Sequence, residues 1–197
     1  MKKQSFIFIG RSGCGKGTQI ELLMNKLKEK DPEHDILYIY TGREFRNFIQ
    51  GQSTTQKISK EIYEVGGLMP EFLTVHMWAK ELVDNYNGNQ HIIFDGTPRR
   101  FHEAGVLHSM FKFYNLEKPW VININISSEE ATKRLLGRKR MDDKKEDIKK
   151  RLDWYETDVA PTVEFYRDNA NYNFLTLDGE RSVEEIHKDI VKKLSLV

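Results

Sequence analysis

The apolar run from Ser5 to Ile9 stops at Gly10 and gives way to Gly10-Arg11-Ser12-Gly13-Cys14-Gly15-Lys16, after which Ile20, Leu23 and Leu27 recur at helical spacing. A G-x-x-x-x-G-K segment set between a strand and a helix has a direct physical reading. Its glycines let backbone N–H groups converge on phosphate oxygens, while the helix N-terminus and Lys16 supply positive charge. Gly13, Cys14, Gly15, Lys16, Gly17 and Thr18 are therefore the candidate residues for a nucleotide's phosphates. Where the general motif places a Ser or Thr that touches Mg²⁺, this chain has Gly17, so any metal must be held by another residue.

The strand-then-helix pattern recurs. Asp35 to Tyr40, His91 to Phe94, Trp120 to Ile126 and Tyr172 to Leu177 read as four further strands separated by helical segments. Alternation of this kind predicts an α/β fold with a five-stranded parallel sheet and helices on both faces; with the glycine-rich phosphate loop after its first strand, this reads as a three-layer P-loop NTPase architecture. Ligands of such sheets lie beyond the carboxyl ends of the strands, which directs attention to Gly10, Thr41, Asp95 and Ser127. Residues 1–197 read as a single domain. Between Thr41 and Pro70 the chain does not return directly to the sheet; two short helices, Glu44 to Gln50 and Thr55 to Val65, predict an inserted subdomain over 41–70. From Asp142 to Asp168 the sequence is charged and helical, with Ile148, Leu152 and Tyr155 on one stripe.

Charge and apolar patterning remove several function classes. With 31 Lys plus Arg against 30 Asp plus Glu, the net charge is +1, so no diffuse positive field holds nucleic acid. No apolar run approaches the roughly 18 residues of a membrane span, and no export signal is expected at the start. The single cysteine, Cys14, cannot form an internal disulfide and suits a reducing compartment, so a cytoplasmic location is expected.

Gly13-Cys14-Gly15-Lys16-Gly17-Thr18-Gln19 closely resembles the G-x-G-K-G-T-Q of the adenylate kinase family of nucleoside monophosphate kinases. Asp95-Gly96-Thr97-Pro98-Arg99 resembles that family's D-G-[FY]-P-R. Thr41-Gly42 followed by Arg46 is similar to its T-G-D-x-x-R, and Gly66-Gly67-Leu68-Met69-Pro70 to its G-x-L-V segment. The resemblance runs from the first strand to the last helix. It implies transfer of the γ-phosphoryl of ATP to a nucleoside monophosphate with Mg²⁺, through a site rich in arginine.

By the same resemblance, Lys16 spans the donor's β and γ oxygens, and Arg46 and Arg99 hold the acceptor phosphate with bidentate geometry. Asp95 is the carboxylate on the Mg²⁺ side, acting through metal-bound water. Arg43 stands where the family has a second acidic residue. Arg134 would stack on the donor adenine, and Arg138, Arg140 and Arg151 would close on the phosphates. Only Lys139 separates Arg138 from Arg140, where relatives carry a mobile lid, so the lid is expected to be reduced to a short connection near 138–140. Thr41, Leu68 and Met69 belong to the monophosphate site. Thr41 favours AMP, whereas Glu103 takes the place of the glutamine that reads adenine; an ionised carboxylate only accepts hydrogen bonds, which suits guanine better. Alternatively, Glu103 points to solvent or carries a salt bridge. AMP is the expected acceptor, with GMP or a pyrimidine monophosphate behind it and a non-catalytic nucleotide-binding regulator as the reading from another class. The six histidines show no ligand-like spacing, and Trp78, Trp120, Trp154 and Tyr155 read as core or interface aromatics. Cys14 reads as a small-residue filler, and a homo-oligomer is left open.

Overall fold

The computed structural model describes residues 1–116, 118–138 and 145–196. Five strands, β1 (Ser5–Ile9), β2 (Asp35–Tyr40), β3 (Gln90–Asp95), β4 (Trp120–Asn125) and β5 (Asn173–Asp178), form one sheet. All four pairings are parallel and the spatial order is β2-β3-β1-β4-β5. The chain thus crosses from one side of β1 to the other after β3. Ligands collect outside the carboxyl ends at such a reversal, and here it falls on the strand that runs into the glycine-rich loop.

Successive side chains of a strand point to opposite faces, and β1 feeds a separate core on each. Phe6 and Phe8 pack with Ile20, Leu23 and Leu27 of α1 (Lys16–Lys30) and with Ile186 and Ile190 of α9 (Val183–Lys193). On the same face lie Ala131 and Leu135 of α6 (Ser128–Arg138) and Ile148 and Leu152 of α7 (Lys145–Trp154). Ile7 and Ile9 pack with Trp78 and Leu82 of α4 (Glu71–Asn85), Leu107 of α5 (Phe101–Phe113) and Tyr166 of α8 (Ala160–Arg167). The three layers and the five strands expected from the sequence are all present.

Three local differences from expectation have local causes. The first helix after β2 begins at once, as α2 (Thr41–Phe48), and is followed by α3 (Thr54–Glu64), which opens on a capping box between Ser53 and Gln56. Phe45 of α2, Met69 and Leu73 make a small apolar cluster of their own. The helical stretch after residue 144 is not uniform: α7 passes into a π-helical turn at Tyr155–Val159 before α8. Pro161 lacks the N–H that would close onto residue 157, so the α ladder cannot run through. Ser127 lies outside the cleft; its Oγ accepts from Glu130 N at 3.2 Å and its N–H donates to Glu180 Oε1, a cap on α6.

The histidines are also placed in a way their spacing does not show. At the amino ends of the strands, His34 Nδ1 lies 2.9 Å and His91 Nε2 3.2 Å from the same oxygen, Asp31 Oδ2. Gln4 N donates to His91 Nδ1 at 3.1 Å. That acceptor role puts the His91 proton on Nε2, directed at Asp31, so the lone pair a metal would need is absent and the cluster is a hydrogen-bonded staple.

Candidate active site

Beyond the carboxyl ends of β1, β2 and β3 the chain encloses a cavity of about 730 Å³. Its floor is the glycine-rich loop. Gly13 and Gly15 hold φ of +84° and +96°, and a Cβ on Gly10 would lie 2.3 Å from Ile124 O, so each of these three positions demands glycine. Gly15 is the N-cap of α1, which aims the first N–H groups of that helix into the cavity. Lys16 Nζ arches back over the loop and donates to Gly10 O at 2.7 Å and Arg11 O at 3.1 Å. Cys14 is buried in the loop with Sγ 3.5 Å from that ammonium.

The loop is braced from outside the cavity by Arg11. Its guanidinium donates to Asn125 Oδ1 and Ile126 O at 2.9 Å each, pairs with Glu156 and lies 4.4 Å from the Tyr155 ring centre. The π-helical turn that carries Glu156 also carries Asp158, which holds Arg100 Nε at 2.8 Å. Tyr155 to Val159 therefore ties the glycine-rich loop to the loop after β3, and the burial of Tyr155 pushes its hydroxyl pKa up.

Asp95 ends β3, 5% exposed on the cavity wall. Tyr38 donates its hydroxyl to Asp95 Oδ2 at 2.9 Å; burial, reinforced by that carboxylate, raises the Tyr38 pKa far out of reach of physiological pH and keeps the proton in the bond. Thr41 Oγ1 donates to Asp95 O at 3.2 Å. Arg99 Nε donates to Gly96 O at 2.9 Å while its guanidinium lies 5.2 Å from the Trp154 ring centre. Arg46 lies 5.1 Å from the Tyr40 ring centre. These cations are held by carbonyls and aromatic faces, which fix direction without cancelling charge.

Of the residues the sequence nominates, Gly13, Cys14, Gly15, Lys16, Gly17, Thr18, Thr41, Arg46, Leu68, Met69, Asp95, Arg99, Arg134, Arg138 and Arg151 all line the cavity. Among the described residues the wall carries six cationic side chains, Lys16, Arg46, Arg99, Arg134, Arg138 and Arg151, against the single carboxylate of Asp95. Such an excess suits a ligand with several phosphates. Arg140 and the connection expected to replace a lid lie in 139–144, outside the described residues.

Glu103 is not on the cavity wall. It is 1% exposed, and its Oε2 accepts from Arg99 N at 2.7 Å, so it neither faces solvent nor presents itself to a base. Arg43 is exposed and paired with Glu44 Oε1 at 2.9 Å.

The wall also includes Tyr38, Tyr40, Trp154 and Val183, which the sequence does not nominate. Tyr38 and Tyr40 end β2, and that position alone marks them. Trp154 follows Arg151 by three residues on α7, so both face the same way; its indole N–H donates to Gly66 O at 3.2 Å. Gly66 in turn sits at φ +67° with Asp147 Cβ 2.9 Å from where its own Cβ would be, so the segment 66–70 packs directly on α7. Val183 opens α9 and shows no sequence signal; Gln19 Nε2 secures its carbonyl at 2.9 Å.

Comparison with known proteins agrees with this geometry. The chain matches the family model described as adenylate kinase over residues 8–171. A protein named adenylate kinase from Parabacteroides distasonis is 34% identical over 184 residues, 91% of this chain and 92% of the relative. One of the same name from Azobacteroides pseudotrichonymphae is 32% identical over 189 residues, 94% of each chain. Another, from Leptospira biflexa, is 33% identical over 192 residues, 95% of this chain and 98% of the relative.

Proposed function

The chain belongs to the adenylate kinase family and is a phosphotransferase, and on that premise we propose that its cleft moves the γ-phosphoryl group of ATP to AMP, giving two molecules of ADP. The observation that carries this reading is the cation excess of the cavity wall. Two nucleotides held phosphate to phosphate repel one another, and transfer between them needs positioning and charge compensation more than it needs a covalent intermediate.

The donor's phosphates lie on the glycine-rich loop, with the N–H groups at the start of α1 beneath them and Lys16 swinging from Gly10 O and Arg11 O onto the β and γ oxygens. Arg134 and Val183 flank the donor base. Arg46 and Arg99, aimed by Tyr40 and Trp154, grip the acceptor phosphate. Arg138 and Arg151 close on the transferring group, where charge accumulates in the transition state. Thr41, Leu68 and Met69 line the acceptor's nucleoside. Kinases of this family use Mg²⁺ with ATP, and the residues fit it: Asp95 is the one carboxylate on the described wall, and Tyr38 orients it by occupying Oδ2. When bound, the ion neutralises part of the charge on the donor's phosphates. We read the short spacing near 138–140 as a reduced lid, on the resemblance of the sequence alone. No described helix is long and apolar enough to cross a membrane; with a single cysteine in the chain, we place its work in the cytoplasm.

The test is a coupled assay with Mg-ATP and AMP, GMP, CMP, UMP or dTMP in turn, on the wild type and on Arg99→Ala. ADP formation with AMP foremost, lost in Arg99→Ala while ATP binding is kept, is the expected result. Full transfer in Arg99→Ala, or a preference for another base, overturns the assignment.

A further inference from the structure

Glu103 stands in the first turn of α5, and its burial is unusual for a carboxylate. Oε2 accepts from Arg99 N at 2.7 Å, while Oε1, equally buried, has no hydrogen-bond partner among the described residues. The stretch of main chain it holds belongs to the residue whose side chain works the acceptor end of the cavity. On the other side of the same residue, the single hydroxyl proton of Thr162 of α8 is shared between Asp158 O at 3.2 Å and Arg99 O at 3.4 Å. The backbone of Arg99 is thus held firmly at its N–H by Glu103 and only weakly at its carbonyl, and the guanidinium beyond it is aimed by Gly96 O and Trp154.

The groups facing Glu103 set its charge. From the loop these are the Arg99 N–H and guanidinium and the Arg100 main chain; from α8 it is the buried Tyr166. The Arg100 side chain donates to Asp158 and Met69 O, yet its charge still favours the Glu103 carboxylate, and Glu71 of α4 meets His102, not Glu103. Burial pushes the Glu103 carboxyl upward, with the Arg99 N–H and charge opposing it. A solvated acidic residue would serve as well to stabilise the first turn of a helix. Burying one against Arg99 serves the loop.

We propose that Glu103 is a positioning residue for the acceptor site, fixing the Arg99 main chain so that its guanidinium meets the acceptor phosphate, and that it holds most firmly as the carboxylate. The inference rests on the reading of Arg99 as an acceptor-phosphate ligand.

The experiment measures kcat and KM for AMP and for ATP, between mildly acid and neutral pH, in the wild type, Glu103→Ala, Glu103→Gln and Arg99→Ala, with thermal melts of each. Leaving the Arg99 N–H unpaired should raise KM for AMP in Glu103→Ala by about tenfold, with KM for ATP within about twofold. Glu103→Gln keeps an acceptor for that N–H without a charge, so it should rescue most of the loss. The KM for AMP of the wild type should rise on acidification more steeply than that of Glu103→Gln. Ionisation of AMP's own phosphate is common to both enzymes and drops out of their ratio. An unchanged KM for AMP in Glu103→Ala, with only a lower melting temperature, makes Glu103 a helix cap and overturns the proposal. If Glu103→Ala fails to fold, a wild-type to Glu103→Gln ratio that is flat with pH overturns it instead. Loss of transfer in Arg99→Ala beside an unaffected Glu103→Ala sinks this inference alone; a neutral Arg99→Ala sinks the reading it rests on as well.

Discussion

The two ends of the sheet treat charge in opposite ways. At the carboxyl ends, six cationic side chains share a wall with one carboxylate among the described residues, and Lys16 and Arg99 are held by main-chain carbonyls. At the amino ends, His34 and His91 both spend their N–H groups on Asp31, and the amino group of Met1 lies 3.2 Å from the same carboxylate oxygen. At the amino ends the charge is neutralised and serves the fold; Lys16 and Arg99 are aimed by neutral carbonyls and kept for a ligand, while Arg134 on the same wall is also paired with Glu130 Oε1 at 2.7 Å. Substitutions at the two ends should therefore fail differently.

Deleting charge at the carboxyl end should show almost wholly in turnover. Lys16→Met keeps most of the side chain's stem and removes the ammonium; loss of one such donor costs on the order of a hundredfold or more in kcat, with the melting temperature little changed. Steady-state kinetics beside a thermal melt checks this. A variant that loses stability and keeps kcat would break the contrast.

The amino end should give the converse. His91→Leu leaves the Gln4 N–H without its acceptor at a fully buried side chain and takes one of three partners from the Asp31 carboxylate, which keeps His34 and the Met1 amino group. Stranding that N–H costs about 1–3 kcal/mol, and in a chain of this size each kcal/mol lowers the melting temperature by about 2–4 °C. The kcat should stay within about twofold of wild type. A change in KM for either nucleotide without a change in stability would mean that the two ends are coupled.

Acid should reveal the same staple. Burial holds the His91 pKa below its ordinary 6.5, with Asp31 opposing and His34 and the Met1 amino group adding to the fall. The unfolded chain then binds more protons than the folded one below pH 6.5, so the His91 contribution is complete above that value and is lost as the pH falls toward its folded pKa. Asp31 is held below its ordinary 3.8, chiefly by the His34 hydrogen bond; its contribution persists to lower pH and disappears as the pH falls through its folded pKa. Melts at graded pH should show wild-type stability falling as the pH drops below 6.5, with a shallower fall over that first step in His91→Leu. Equal slopes would take His91 out of the acid response.

Much of this was legible in the sequence because it is written locally. The strand, the glycine-rich loop and the helix that follow one another from Ser5 to Leu27 point to both a parallel sheet and a phosphate cradle; the sheet is present, and the loop lines the cavity at its carboxyl edge. The cavity-wall position of Asp95 follows from its place at a strand end, and those of Arg46 and Arg99 from the family motifs they complete. The remainder depends on distances that spacing does not encode. Nothing near Glu103 in the sequence says that its carboxylate turns back onto Arg99 N. Trp154 reads as one more apolar aromatic until α7 is seen to pack on Gly66. Asp31 and His91 lie sixty residues apart, and only the pairing of β2 with β3 brings them together. The π-helical turn needs Pro161 to break the ladder and Glu156 and Asp158 to find Arg11 and Arg100, which are contacts of tertiary structure.

Arg43 offers the smallest effect and the finest discrimination between the two kinds of charge. It is one residue removed from Gly42, which lines the cavity, and stands where the resemblance places an acidic residue, so proximity alone would count it among the site's cations. Its side chain is 48% exposed and its Nε is paired with Glu44 at 2.9 Å; it is absent from the cavity wall. An exposed pair of this kind contributes about 0–1 kcal/mol. Arg43→Ala should therefore leave kcat and both KM values within about twofold of wild type and shift the melting temperature by no more than a few degrees. A large loss of turnover would place Arg43 on the ligand during the reaction, and its ion pair would then no more mark it as structural than the pair with Glu130 does for Arg134 on the cavity wall.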